Sequence, residues 1–142
     1  HVARILAANP QCEVVVAGGT VRHEDLGVVG EAALNFIRQF KVDIGLIGIS
    51  GIEADGTMRD FDYREVKVAK AIIEHSRQVW LAADITKFNR PAMVELAHLS
   101  YIDRLFTDAP PPDSFVHLLE QSGVECTIAE ESTGAPALAL VS

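Results

Sequence analysis

The sequence predicts an α/β domain built on a mostly parallel sheet with helices on both faces. Short apolar runs of strand length alternate with segments whose apolar residues recur at helical spacing, which is the order of βαβ units. Hydrophobic residues make up 49% of the 142 residues and the mean hydropathy is +0.19. No apolar run approaches the roughly 20 residues of a membrane span. That combination fits strands buried on both faces, with further surface hidden by partner subunits. The length suits one domain with its own core.

The first helix is expected at 2–8, stopped by Asn9-Pro10. An apolar run at 13–17, halted by Gly18-Gly19, predicts a buried strand. A polar loop follows to Gly30. Ala33, Phe36, Ile37 and Phe40 then fall on one helical face. Residues 43–47 predict a strand that runs into a loop over 48–61. Glu65 opens a second helix with the stripe Val68, Ala69 and Ile72. A strand is expected at 78–83, a loop and short helix at 87–97, and a strand at 104–107. Three prolines at 110–112 end the exit loop, Asp113 caps a helix reaching Gln121, and Gly123 closes it. Residues 124–129 give the last strand, and 130–142 form a small, partly apolar C-terminal tail without clear period. The whole is Rossmann-like, with no internal repeat.

The net charge is −8, from 20 acidic and 12 basic residues. DNA binding needs clustered Lys and Arg to displace counterions from phosphates, and no such cluster is present. Cys12 and Cys126 lie far apart without metal-ligand spacing and are expected to be free thiols. His23, His75, His98 and His117 show neither metal spacing nor a nucleophile partner. The chain opens on His1 and shows no secretory signal, so it reads as part of a longer, cytoplasmic protein. No cofactor, no metal and no membrane contact are expected.

Open sheets bind ligands beyond the carboxyl ends of their strands, which points to three loops. In the first, Gly18 and Gly19 let backbone amides approach a ligand and Arg22 offers a planar fork for phosphate or carboxylate; a tight turn with a solvated arginine is the plainer alternative. The second runs through Gly48, Ser50, Gly51 and Asp55. It matches neither the G-x-G-x-x-G fingerprint nor the Walker G-K-[ST], leaving a backbone-rich concavity in which Ser50 and Asp55 could read hydroxyls, with a plain Asp-Gly turn as the equal alternative. Glu65, at the start of its helix, suits the dipole there and faces the interior. The third loop puts Asp84 three residues ahead of Lys87, either opposite charges beside one sugar phosphate or a surface pair. These residues alone indicate an α/β domain that binds a small phosphorylated polyol, and leave enzyme and sensor both open.

An ordered set of segments carries a resemblance. It comprises Ala17-Gly18-Gly19 with Arg22, Val29-Gly30-Glu31-Ala32-Ala33, and Asp43-Ile44-Gly45-Leu46-Ile47-Gly48 leading to Gly51-Ile52 and Asp55-Gly56. Glu65 with Ala71-Ile72-Ile73-Glu74, Ala83-Asp84 with Lys87-Phe88, and Ile102-Asp103-Arg104 through Thr107-Asp108 complete it. Together they resemble the C-terminal sensor domain of DeoR-type transcription repressors. Ile49-Ser50-Gly51-Ile52, Phe61-Asp62-Tyr63 and the run 107–112 are most similar to members that answer to glycerol 3-phosphate. The resemblance implies a fold shared with ribose-5-phosphate isomerase, and a homo-oligomer. It implies operator DNA held by an N-terminal winged helix-turn-helix rather than by these residues, and a phosphorylated effector, glycerol 3-phosphate, that weakens operator binding. By it, Gly18, Gly19, Arg22, Gly48, Ser50, Gly51, Asp55, Glu65, Asp84 and Lys87 line the effector pocket, and residues 1–129 form the effector-sensing and oligomerisation domain. Two departures stand out: the family's opening strand and Gly-Thr-Thr phosphate loop are missing, and Ala69 stands where a lysine is usual. The alternative is a sugar-phosphate isomerase or deaminase of the same fold, with Glu65 and Asp84 as its acid–base groups.

Overall fold

A computed structural model describes residues 2–129; the tail at 130–142, and with it the expected domain boundary, lies outside the described residues. In chain order the elements are α1 (Val2–Ala7), β1 (Thr20–Val21), β2 (Val28–Val29), α2 (Glu31–Ile37), β3 (Val42–Gly48), β4 (Gly51–Ile52), β5 (Thr57–Asp60), α3 (Tyr63–Glu74), β6 (Ser76–Ala82), β7 (Val94–His98), β8 (Arg104–Thr107), α4 (Asp113–Ser122) and β9 (Glu125–Ile128). Single 3-10 turns cover Ile85–Lys87 and Leu99–Tyr101.

The α/β reading holds. A parallel sheet of order β3-β6-β8-β9 is joined by crossovers that carry α3 and α4. Ile47, Val79, Leu81 and Leu105 point to one face of this sheet. There they share the core with Val66 from α3 and Phe115 and Leu119 from α4. The other face presents Ile44, Leu46, Trp80 and Phe106, with Leu46 61% exposed. A three-stranded antiparallel sheet, β4-β5-β7, contributes Ile52, Met58 and Leu96 to the same core, and β1 and β2 make a separate hairpin.

Local chemistry sets the helix ends. Asp62 caps α3, its carboxylate accepting the Arg64 N–H at 2.8 Å. The residues of α3 that sink deepest are Val66 and Ala71, which flank the stripe of Val68, Ala69 and Ile72. Asp113 is the first residue of α4 rather than its cap, a place taken by Pro112, and Gly123 ends the helix in the left-handed conformation at φ 72°.

Further expectations need correction. Residues 13–17 form no strand, and Val15 and Val16 are 65% and 63% exposed. An apolar run becomes a strand only when another strand satisfies its backbone groups, and this one pairs with none among the described residues. The expected loop at 48–61 contains the hairpin of β4 and β5, which turns at Glu53–Gly56. The short helix expected within 87–97 is instead the strand β7, paired with β5 through Met58↔Ala97 and Arg59↔Glu95. Met93-Val94-Glu95-Leu96-Ala97 contains several good helix formers, but sheet pairing overrides that weak preference. Cys12 and Cys126 are both free thiols.

Because β3, β6 and β8 run parallel, the loops that follow them emerge at one edge of the sheet. Ser50 lies beyond β3, Asp84 and Lys87 beyond β6, and Asp108 beyond β8. The last two loops are tied together where the Ile85 N–H donates to the Asp108 carboxylate at 2.7 Å.

Candidate functional site

A cleft of about 640 Å³ opens where this edge meets the β1–β2 hairpin and the start of α3. Three short pieces of chain build it. The hairpin supplies Arg22, Glu24 and Asp25; the loop after β3 supplies Ser50; the run 60–65 supplies two aspartates, Arg64 and Glu65. A smaller hollow beside it reaches down past Ser50, Asp60 and Glu65 to Gly48 and Ala69.

Arg22 organises the cleft. Its backbone is pinned in the hairpin, the N–H donating to Gly27 O and the carbonyl accepting from Leu26 N. The side chain is only 9% exposed and meets four carboxylates: Glu65 at 2.9 Å, Asp62 and Glu24 at 3.0 Å, and Asp25 at 3.3 Å. Burial works against its positive charge, but Glu65, Asp25 and Asp62 together outweigh that and hold its pKa above the usual arginine value. Arg22 therefore ties the hairpin to the first turn of α3.

The carboxylates around it are held in different states. The Arg64 guanidinium and backbone N–H, helped by Arg22, pull Asp62 down to about 2. Glu65 moves the other way, to about 7. Burial is the main cause, followed by a hydrogen bond shared with Asp25 and by the nearby charge of Asp60. Arg22 opposes this shift, but its single charge is divided among four neighbours. Asp25 goes down, chiefly because it accepts the Gly27 N–H and then because it accepts from Glu65. Glu65 and Asp25 thus form a carboxyl–carboxylate pair beside the guanidinium.

Asp60, at the end of β5, is 9% exposed. Its Oδ1 accepts both the Ser50 hydroxyl at 2.8 Å and the Phe61 N–H at 2.7 Å.

The expected site residues distribute as follows. Arg22, Ser50 and Glu65 come together in the cleft, and Gly48 lines the adjoining hollow. Asp84 and Lys87 sit at the same sheet edge, one strand over and 3.5 Å from each other, with Asp84 also accepting from the Thr86 hydroxyl and N–H. Asp55 turns the β4–β5 hairpin: its carboxylate accepts the Thr57 N–H at 2.9 Å, and its carbonyl bonds His98 Nε2 at 2.8 Å. Gly51 lies against the Arg90 backbone and Gly19 against the Val29 carbonyl, while Gly18 has open space around its Cα. None of these last four lines the cleft.

Sequence reasoning missed Asp60, Asp62, Glu24 and Asp25. One signal was available: Asp62-Tyr63-Arg64-Glu65 has the spacing of a capping box. The structure makes neither half of that box: Asp62 accepts the N–H of Arg64 rather than that of Glu65, and Glu65 turns away to Arg22.

The family model of the DeoR C-terminal sensor domain matches residues 1–109. The chain belongs to this family. Among curated DeoR relatives, the glycerol-3-phosphate regulon repressor of Escherichia coli K12 is 45% identical over 125 residues, covering 88% of this chain and 50% of that protein. The protein of the same name from Haemophilus influenzae is 48% identical over 121 residues, 85% of this chain and 47% of its own length. The transcriptional repressor CsqR of Escherichia coli is 37% identical over 131 residues, 92% of this chain and 50% of that protein. The DeoR domain described here thus spans about half the length of the curated relatives it matches. Those relatives are named as transcriptional repressors, and neither they nor the structure supports the isomerase alternative. No helix among the described residues is long and apolar enough to cross a membrane.

Proposed function

We propose that this DeoR domain is the sensor of a repressor that responds to glycerol 3-phosphate, and that operator DNA is held by a helix-turn-helix outside these residues. The observation that carries the reading is the cleft at the carboxyl edge of the sheet, where Arg22, Ser50 and Glu65 converge from three separate segments. Its polar lining suits a small hydroxylated ligand, and the identity to glycerol-3-phosphate regulon repressors supports the choice of effector. Within this reading Lys87 is the cation for the phosphate. Among the described residues it is paired with Asp84 alone, and it is 25% exposed, whereas Arg22 is shared among four carboxylates. Gly48 and Asp84 complete the edge at which the effector lies. Gly18, Gly19, Gly51 and Asp55 shape and hold the loops around it.

Release of DNA requires the effector to favour the DNA-free state, typically by about 1–3 kcal/mol. In a repressor carrying this domain, Lys87→Ala is expected to leave operator affinity nearly unchanged in the absence of effector. The same variant should raise the glycerol 3-phosphate concentration needed for release by about tenfold or more. Operator affinity measured with and without effector checks this. Release at the wild-type concentration contradicts the role of Lys87, and loss of operator binding without effector shows that it is structural.

We also propose self-association through strand β3, at the edge of its sheet, where Val42, Ile44 and Leu46 stand in one exposed row. Sedimentation equilibrium at tens of micromolar is expected to find dimers or larger species, and Leu46→Lys to shift them toward monomer. A wild-type chain that sediments as a monomer refutes this.

A further inference from the structure

We propose that Asp60, through Oδ2, is the hydroxyl-reading group of the cleft, and that the cleft takes the uncharged polyol end of its ligand rather than the phosphate end. This rests on the reading of the cleft as the effector site and specifies what that site recognises.

Asp60 stands apart from the other carboxylates. It is nine-tenths buried, and it lines both the cleft and the adjoining hollow. Both of its hydrogen bonds fall on Oδ1, one from the Ser50 hydroxyl and one from the Phe61 N–H. Oδ2 has no hydrogen-bond partner among the described residues, and it is not among their occluded, unsatisfied atoms. Asp62 and Asp25, by contrast, are engaged with Arg64, Arg22 and the Gly27 N–H. Asp60 is therefore already desolvated and already oriented by two donors. It keeps one oxygen for a ligand, and a carboxylate oxygen can only accept. A ligand hydroxyl satisfies it; a phosphate oxygen, itself an acceptor, does not.

The surrounding charges point the same way. The cleft is lined by five acidic side chains, Glu24, Asp25, Asp60, Asp62 and Glu65, against the two guanidinium groups of Arg22 and Arg64. Both guanidinium groups already face carboxylates of this set. A negative group brought into this lining meets acidic side chains that outnumber the guanidinium groups, and both guanidinium groups are already ion-paired. A site that hydrogen-bonds a hydroxyl rejects an analogue lacking it, because that analogue covers the acceptor, shuts it off from water and leaves it unpaired. Ser50 supports the arrangement by spending its proton on Oδ1, which leaves the hydroxyl oxygen as a further acceptor beside Oδ2.

The test titrates the 142-residue chain with glycerol 3-phosphate, with glycerol and with n-propyl phosphate, followed by heteronuclear NMR, which also registers millimolar binding. Wild type is expected to shift the amides of Ser50, Phe61 and Glu65 with glycerol 3-phosphate and with glycerol, and to bind propyl phosphate at least about tenfold more weakly than glycerol 3-phosphate. In Asp60→Asn, Oδ1 still accepts from Ser50 and an amide donor replaces the free acceptor. Affinity for glycerol 3-phosphate should fall to that of propyl phosphate, while the spectrum away from the cleft stays unchanged. Equal wild-type affinity for the two phosphates, or an unaltered preference in Asp60→Asn, overturns the assignment and leaves the cleft as an effector site read by other groups. Failure of all three compounds to move the cleft amides overturns the effector-site reading and this inference with it. Should Asp60→Asn not fold, the wild-type comparison of the three compounds decides alone.

Discussion

Gly51→Ala is expected to destabilise the domain by about 1–3 kcal/mol, with the midpoint of urea unfolding lowered and its slope unchanged. A methyl group at this position overlaps the carbonyl oxygen of Arg90, a backbone atom with no alternative rotamer. Relief requires β4 and the chain after the Ile85–Lys87 turn to separate. These are the segments where Ile52, fully buried, bridges to Phe88 in the core. The strain is therefore passed into packing rather than absorbed at the surface. Two other glycines serve as controls. A methyl at Gly48 comes no closer than 4.0 Å to the Ala82 carbonyl, and one at Gly18 meets nothing within 4 Å. Gly48→Ala and Gly18→Ala should stay within about 0.5 kcal/mol of wild type. If Gly51→Ala unfolds at the same urea concentration as Gly48→Ala, the close approach at Arg90 is not what fixes glycine there.

The second large effect is on the pH dependence of stability. Glu65 titrates near 4.5 when unfolded and at about 7 in the cleft. Between those values the folded domain holds a proton that the unfolded chain has released, so stability falls as pH rises through this window and levels off above it. On the acid side the signs reverse. Asp62, lowered from 3.8 to about 2, and Asp25, also lowered, contribute stability that is lost as pH drops below about 4. A maximum between the two windows follows, on the acid side of neutrality. Thermal unfolding by circular dichroism should give a Tm several degrees lower at pH 8 than at pH 5 for wild type. Glu65→Gln keeps a donor toward Asp25 and carries no charge at any pH. It should flatten the profile between pH 5 and 8, exceed wild type at pH 8, and leave the acid limb in place. A wild-type Tm that climbs from pH 5 to pH 8, or a Glu65→Gln profile with the wild-type slope, contradicts the raised carboxyl.

The parts of this fold that can be read from sequence are those whose signal is local. Strands β3 and β8 are apolar runs bounded by polar residues, and Gly123 marks the end of α4 by the backbone conformation it permits. The hairpins cannot be read in this way. Strands β1, β2 and β4 have two residues each, too few for any period, and β7 exists because β5 lies beside it. The run 13–17 shows the converse, an apolar signal without a pairing partner among the described residues. The site divides along the same line. Ser50 is legible because a parallel sheet puts ligands beyond its strand ends, and Glu65 because it opens a helix toward the interior. Asp60 and Asp25 are anonymous acids in polar loops until two hairpins bring them to the start of α3. What gives Asp60 meaning is one oxygen occupied and the other not, and no spacing in the sequence encodes that.

The excess of carboxylates at the mouth of the cleft has a kinetic side. Its field reaches roughly a Debye length into solvent, about 8 Å at physiological ionic strength. An approaching anion feels that field before it touches any side chain, and it is slowed rather than steered. Added salt screens the field, so capture of an anion should quicken as ionic strength rises, the reverse of a protein that attracts its ligand by opposite charge. A neutral hydroxylated molecule arrives at a rate that salt leaves alone. The chemistry of the lining thus sorts visitors at the moment of encounter, before any hydrogen bond has formed.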